Sequence, residues 1–352
     1  MSLTPPLFAQ VGGPHRGGTT LLADLLEAHP SIDGLGATAG WVGARAKGVG
    51  GTKGPANEGV FMQSVFSKFG LSMGPLEIAY RSLMGTLRQN GTGWGSYAYA
   101  ANAHLTEANE TGLLTELSRR TLMTEWGRYW PSLDLAALNA TSSPATSPPA
   151  GHVRRILLEK SPSNIMMWRF LNALWHLTSS PLAAASPDVR FLFISRHPLA
   201  VSIAQRSWED ASHLSIAQLV AHWLHQQQSL ERDLQQTPQA RALRLRFEDL
   251  AADPTGTLAK VFKWLELATP GEEADGGGGS AQAAASNVLR EVPVKDGTNR
   301  KYLLRFCEWV AHDSCAGYRA MVASMEEQVV HAGYSVREWG SQCEAPCAAQ
   351  LD

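Results

Sequence analysis

Four short apolar runs stand out along the chain: PLFAQV (6–11), RRILLE (154–159), VRFLFIS (189–195) and ALRLRF (242–247). Stretches with helical spacing separate them. Apolar runs this short, bounded by turn residues, predict strands buried on both faces, as in a parallel sheet covered by helices. After the first run, Leu21, Leu22, Leu25 and Leu26 fall on one helical face. Over 215–236, Ile216, Leu219, Val220, Trp223, Leu224, Gln227 and Leu230 keep the same spacing, and Thr237-Pro238 marks the end. Asp253-Pro254 has the form of an N-cap followed by proline at the first helical position, ahead of Leu258, Val261, Phe262 and Leu265. Trp168, Trp175 and Trp223 occupy apolar helical positions and are expected in the core. The predicted fold is α/β, a P-loop-type three-layer α/β/α arrangement around a central parallel sheet. Residues 1–352 are read as a single domain interrupted by two low-complexity insertions, NATSSPATSPPAG (139–151) and TPGEEADGGGGSAQAAAS (269–286).

The turn after the first strand, VGGPHRGGTT, has the outline of a phosphate-binding loop. If Gly13 opens the G-x-x-x-x-G-K-[ST] pattern, Gly18 is its second glycine, Thr19 stands where lysine belongs and Thr20 takes the hydroxyl position. Glycines let consecutive N–H groups turn inward, and the helix that follows adds the positive end of its dipole. The missing lysine is the group that reaches β- and γ-phosphates. A loop of this shape suits a smaller anion, with Arg16 as its cation and Gly17, Gly18, Thr19 and Thr20 as its donors. Two further strand ends add to it. Arg196 follows the third run, where open α/β sheets place their ligands, and Ser202 lies early in the next helix. Lys160 follows the second run and points to the same crevice.

Composition narrows the field. The apolar fraction of 44% over 352 residues supports a substantial core, and a net charge of −2 argues against a nucleic-acid partner. No apolar run reaches the ~18 residues of a membrane span. The start, MSLTPPLF, lacks the features of a signal peptide, so as written the chain reads as soluble, with a cytoplasmic location slightly favoured. Against this stand four cysteines near the C-terminus, Cys307, Cys315, Cys343 and Cys347, and three sequons at Asn90, Asn109 and Asn139. Those features point to a secretory lumen such as the Golgi. CEAPC has no second ligand pair at zinc spacing, and no metal is expected.

Taken together, VGGPHRGGTTLLADLLEAHP, FLFISRHPLAVSIAQRSW and RLRFEDLAADP resemble the sulfotransferases that use 3′-phosphoadenosine-5′-phosphosulfate (PAPS), above all the protein-tyrosine sulfotransferases and bacterial and algal relatives. The resemblance covers residues 7–35 and 154–267. It implies that Arg16, Gly17, Gly18, Thr19 and Thr20 hold the 5′-phosphosulfate, that Arg196 and Ser202 hold the 3′-phosphate, and that Lys160 contacts the transferring group. Many members carry their 3′-phosphate serine eight positions after the arginine. Here that position is Ala204, with Ser202 six after, so the serine's role is less secure than the arginine's. KDGTNRKY (295–302) is either the family's basic loop over the 3′-phosphate or a solvated turn.

The implied reaction is in-line transfer of a sulfuryl group to a hydroxyl on a glycan, a tyrosine or a small molecule. The acceptor proton then needs a base. Where the tyrosine-sulfating branch has a glutamate, this chain has Ala37. Glu58 and His15 are the leading candidates, since a cation beside His15 favours its neutral, basic form. His104 and Glu159 rank below them. Two alternatives stay open: a P-loop kinase-like phosphotransferase and a catalytically degenerate nucleotide-binding protein. The absent lysine, and the lack of an apolar strand ending in a magnesium-binding aspartate, count against the kinase.

Overall fold

The computed structural model describes residues 7–34, 65, 112–127, 155–162, 164–177, 188–207, 212, 214–237, 240–267, 279–294, 299–312 and 315–343. In chain order the elements are β1 (Leu7–Gly12), α1 (Thr19–Glu27), β2 (Ile32–Gly34), α2 (Glu116–Gly127), β3 (Ile156–Lys160), α3 (Asn164–Trp175), β4 (Asp188–Ser195), α4 (Pro198–Arg206) and α5 (Ile216–Gln236). They continue with β5 (Arg241–Arg246), α6 (Phe247–Ala252), α7 (Pro254–Trp264), α8 (Gly279–Glu291), α9 (Arg300–His312), α10 (Cys315–His331) and α11 (Val336–Ser341). The strands pair in the order β2-β3-β1-β4-β5, and every pairing is parallel. This is the α/β sheet expected, and the four long apolar runs are four of its five strands. The extra strand, β2, has only three residues, too few for a period to show in the sequence.

β1 lies in the middle and is buried at all six positions. Strand side chains alternate between faces. Leu7, Ala9 and Val11 therefore pack with Leu22, Leu25 and Leu26 of α1 and with Leu258, Val261 and Phe262 of α7. Phe8 points the other way, to the tryptophans of α3. There its ring stacks on Trp175 at 5.0 Å, while Trp168 meets the rings of Phe191 and Phe193 edge-on at 5.7 and 5.9 Å. Trp168, Trp175 and Trp223 are all core residues, as their spacing predicted. A third apolar cluster joins α4 and α5 to the C-terminal helices through Trp223, Phe306, Tyr318 and Val336. Inside that cluster a disulfide links Cys307 to Cys343, and Cys315 is disulfide-bonded as well. None of the described helices is long and apolar enough to cross a membrane.

Helix starts follow local chemistry. Ser215 and Gln218 close a capping box on α5, and the Asp253 side chain accepts from the Gly256 N–H ahead of Pro254. One expectation is corrected. The tract 269–286 is not low-complexity linker throughout, because residues from Gly279 onward form α8. Its alanines are strong helix formers, and Ala284, Ala285 and Val288 bury against the α1–α7 face of the sheet. The other expected insertion, 139–151, lies outside the described residues, as do the sequon asparagines.

Trp168 fills the space between α3 and the β4 aromatics with no solvent exposure. Trp168→Ala is expected to lower unfolding free energy by about 3–5 kcal/mol, read from the midpoint of a urea titration.

Candidate anion-binding site

In a parallel sheet all carboxyl ends face one edge, and the order of strands decides which loops meet there. β1 sits between β3 and β4, so the turns after these three strands are neighbours. The register sets Lys160 directly beside Val11. Three bonds then seam the two strand ends together. The Ser161 N–H donates to the Val11 carbonyl at 3.1 Å, Asn164 Nδ2 to the same carbonyl at 3.1 Å, and the Gly13 N–H to the Pro162 carbonyl at 3.2 Å.

The loop after β1 is tight. The Gly17 N–H donates to the Pro14 carbonyl at 2.8 Å. A Cβ on Gly13 would lie 2.2 Å from the Ile194 carbonyl oxygen, and one on Gly17 would lie 2.7 Å from that of Pro14. Gly18 has φ 106° and Arg16 has φ 67°, both left-handed. Glycine carries that conformation without steric cost, whereas an arginine there is strained. Gly18 is the N-cap of α1 and offers no side-chain cap to the first-turn N–H groups. Those donors and the helix dipole are the elements of an anion site. Arg16 is exposed at the loop tip, Thr19 is buried and Thr20 is exposed.

Lys160 is buried at the end of β3. Glu159 beside it is tied into the framework: Ser161 Oγ donates to its Oε1, and Asn164 Nδ2 to its Oε2 at 2.5 Å. With both oxygens accepting hydrogen bonds, this carboxylate holds the β3–α3 turn. His15 is buried in the loop, and its carbonyl accepts from Gln205 Nε2 of α4 at 3.0 Å. Glu58, His104 and Ala37 lie outside the described residues.

Arg196, just past β4, is enclosed. Its guanidinium carbon lies 4.2 Å from the centre of the Phe247 ring and 4.9 Å from that of Tyr302. Its Nε donates to Asn299 Oδ1 at 2.7 Å, and Nη1 approaches the Arg16 carbonyl at 3.5 Å. Burial lowers its pKa, partly offset by Tyr302 and Glu248. Ser202 is also on α4, but its Oγ is fully enclosed and has no hydrogen-bond partner among the described residues. A phosphate could reach it only by displacing what covers it. Arg16, Lys160 and Arg196 thus share one sheet edge, while Ser202 is held back from the surface. Of the 295–302 segment, residues 299–302 are described: Asn299 and Tyr302 pack on Arg196, while Arg300 and Lys301 are exposed.

Sequence reasoning missed most of what surrounds Arg196. The next residue, His197, caps α4 by accepting from the Leu199 N–H at 3.3 Å. Its Nε2 lies 3.0 Å from the Ser335 carbonyl, and its ring stacks on Trp339 at 4.0 Å. Glu248 accepts from the His197 N–H at 2.9 Å, from Asn299 Nδ2 at 2.9 Å and from the Tyr334 hydroxyl at 3.2 Å. No period or motif announces contacts made across about 50 to 140 positions of chain.

Residues 133–271 match the family model described as the Sulfotransferase family. That segment, less than half of the chain, contains Lys160, Arg196 and Ser202 but not the glycine loop. The sequence's resemblance to sulfotransferases therefore has a family match behind it over this segment. Among solved structures, the chain is similar to sulfotransferase STF9 from Mycobacterium avium, at 14% identity over 89% of this chain and 78% of that one, with a TM-score of 0.46. It is also similar to the sulfotransferase domain of the Synechococcus PCC 7002 olefin synthase, at 17% identity over 88% and 96%, with a TM-score of 0.38. A sulfotransferase from Alicyclobacillus acidocaldarius gives 13% identity over 85% and 99%, with a TM-score of 0.38. No curated relative matches the chain. With scores this low, the weight falls on the family match and on the chain's own site.

Two histidines near the site are held neutral. His197 is pushed down to about 3, first by burial, against its hydrogen bond to the Ser335 carbonyl and with the charges of Arg246 and Arg196. His222 is also pushed down to about 3, by burial and then by His15 and His225. A depressed histidine contributes stability that is complete above the unfolded value of 6.5 and is lost as pH falls below it. Between pH 7.5 and 5.0 each is expected to cost about 2 kcal/mol of stability, seen as a falling Tm in calorimetry.

Proposed function

We propose that this chain is a sulfotransferase that takes a sulfuryl group from PAPS and delivers it to a hydroxyl acceptor. The observation that carries the reading is the convergence of three strand-end loops. A lysine-free glycine cradle, the buried Lys160 and the enclosed Arg196 meet at one carboxyl edge, two of the three inside the segment that matches the sulfotransferase family. The cradle leaves no room for a side chain at Gly13, against the Ile194 carbonyl, or at Gly17, against that of Pro14.

In this reading the 5′-phosphosulfate lies on the backbone donors of Gly18, Thr19 and Thr20, with Arg16 above it; Gly17, expected as a donor, shapes the turn instead, since its N–H is engaged by the Pro14 carbonyl. The 3′-phosphate lies against Arg196, and Ser202 contributes only if its cover opens. The acceptor oxygen attacks sulfur in line as the bond from sulfur to the 5′-phosphate oxygen breaks, and adenosine 3′,5′-bisphosphate leaves. The acceptor's proton passes to a base, for which Glu58 and His15 remain the candidates. Lys160 and Arg16 stabilise charge that grows on the transferring group and the leaving oxygen. The disulfide-bonded Cys307, Cys315 and Cys343 favour an oxidising compartment over the cytoplasm suggested by the sequence.

A thermal-shift series decides the donor. Adenosine 3′,5′-bisphosphate is expected to raise Tm, and ATP with magnesium to leave it unchanged; the reverse pattern would make the kinase reading correct. Arg16→Ala is expected to raise the Kd for the bisphosphate by about 10- to 100-fold, the worth of a charge-assisted phosphate contact. Lys160→Ala is expected to cut kcat by about 100-fold in a radiolabelled sulfate-transfer assay while changing that Kd little. Nucleotide binding with no turnover on any acceptor class would leave a binding protein.

A further inference from the structure

Resting on that reading, we propose that Asn299 and Glu248 are positioning residues that aim Arg196 at the nucleotide's 3′-phosphate. Arg196 is a planar fork whose use in phosphate recognition depends on which edge faces the ligand. Here its guanidinium carbon packs on two rings, 4.2 Å from the centre of Phe247 and 4.9 Å from that of Tyr302. Its Nε donates to Asn299 Oδ1 at 2.7 Å, beside the 3.5 Å approach of Nη1 to the Arg16 carbonyl and a hydrogen bond with the Tyr302 side chain.

The Asn299 amide could in principle face either way, and only one way serves. Its oxygen must meet the guanidinium, which only donates; its nitrogen must meet an acceptor. Glu248 is that acceptor, at 2.9 Å from Asn299 Nδ2. An ionised carboxylate cannot donate, so it locks the amide with its oxygen toward Arg196. Glu248 is in turn held by the His197 N–H and the Tyr334 hydroxyl.

The placement of Asn299 supports a role beyond helix formation. Its carbonyl accepts from the Leu303 N–H at 3.0 Å, so it stands where α9 begins. At such a position an asparagine side chain ordinarily bonds the first-turn N–H groups of its own helix. Here the side-chain oxygen reaches Arg196 instead. Burial works against the arginine's charge while Glu248 favours it, so the carboxylate serves both the orientation and the charge of the cation.

The experiment is isothermal titration of two nucleotides, adenosine 3′,5′-bisphosphate and adenosine 5′-monophosphate, into the wild type, Arg196→Ala, Asn299→Ala, Glu248→Ala, Glu248→Gln and the Arg196→Ala/Asn299→Ala double variant. Asn299→Ala is expected to weaken the bisphosphate by about tenfold and to leave the monophosphate, which lacks the 3′ group, within about twofold. In the Arg196→Ala background the Asn299 effect should vanish, since there is nothing left to aim. Glu248→Gln keeps an acceptor oxygen for the Asn299 amide and is expected to recover most of the loss seen in Glu248→Ala. Equal weakening of both nucleotides by Asn299→Ala, or simple additivity in the double variant, overturns the positioning role while the nucleotide reading stands. Unchanged bisphosphate affinity in Arg196→Ala sinks the nucleotide reading, and the positioning role with it.

Discussion

The closeness with which the glycine loop passes the end of β4 governs the site. Gly13 lies so near the Ile194 carbonyl that even a methyl group would collide with backbone, and backbone in the middle of a sheet cannot step aside. That contact fixes the height of the loop above the edge, hence where the first turn of α1 begins and where its N–H groups point. The seam between β1 and β3, through Ser161, Asn164 and Gly13, fixes the same loop from the other side. Everything cationic at the edge is then placed relative to this one immobile turn.

Burial of positive charge is the second constraint. An isolated cation taken out of water loses several kcal/mol of hydration, so a buried arginine needs partners that do not cancel its purpose. A directly paired carboxylate would neutralise Arg196 and compete with an anionic ligand. Its partners instead include two aromatic rings, the Asn299 amide, the Arg16 carbonyl and the Tyr302 side chain, all neutral, and the carboxylate of Glu248 stands one residue removed, behind Asn299. Attraction for the cation is retained at a distance, without a carboxylate in the position that the proposed phosphate would take. Glu159 shows the contrasting solution: with a hydrogen-bond donor on each oxygen, it is committed to holding a turn.

How much of this was legible in the sequence follows from the range of the interactions. β1, β3 and β4 were readable because each is a run of apolar residues whose own composition requires burial on both faces. β5 was readable as a strand, but the expectation of burial on both faces fails there, because it ends the strand order, alternates arginine with apolar residues and is exposed or half-buried throughout. The start of α7 at Asp253-Pro254 was readable for the same reason, since an N-cap is settled within four residues. The glycine loop and Arg196 were found because their chemistry is local to a strand end. The surroundings of Arg196 were legible only in part. The 295–302 segment, with Asn299 and Tyr302, is suggested by resemblance beside a solvated-turn alternative, whereas the packing of Phe247 on Arg196 and the approach of Tyr334 to Glu248 come from 51 and 86 positions away, and no spacing encodes such meetings. α8 was misread because a glycine tract was taken to extend over alanines whose burial depends on a sheet face elsewhere in the chain. Ser202 looked available in a linear reading; its enclosure comes from packing between α4 and its neighbours.

The covalent link between Cys307 and Cys343 has a topological meaning beyond the apolar cluster it crosses. Tyr334, Ser335 and Trp339, the groups that touch Glu248 and His197, all fall within the ring of chain it closes. A ring spanning 36 positions removes roughly 4 kcal/mol of chain entropy from the opened state. When thermal motion parts those side chains from the sheet edge, they remain leashed to α9 and wander through a small volume, so the Tyr334 hydroxyl finds the Glu248 carboxylate again, and Ser335 and Trp339 find His197, without a search through the whole chain.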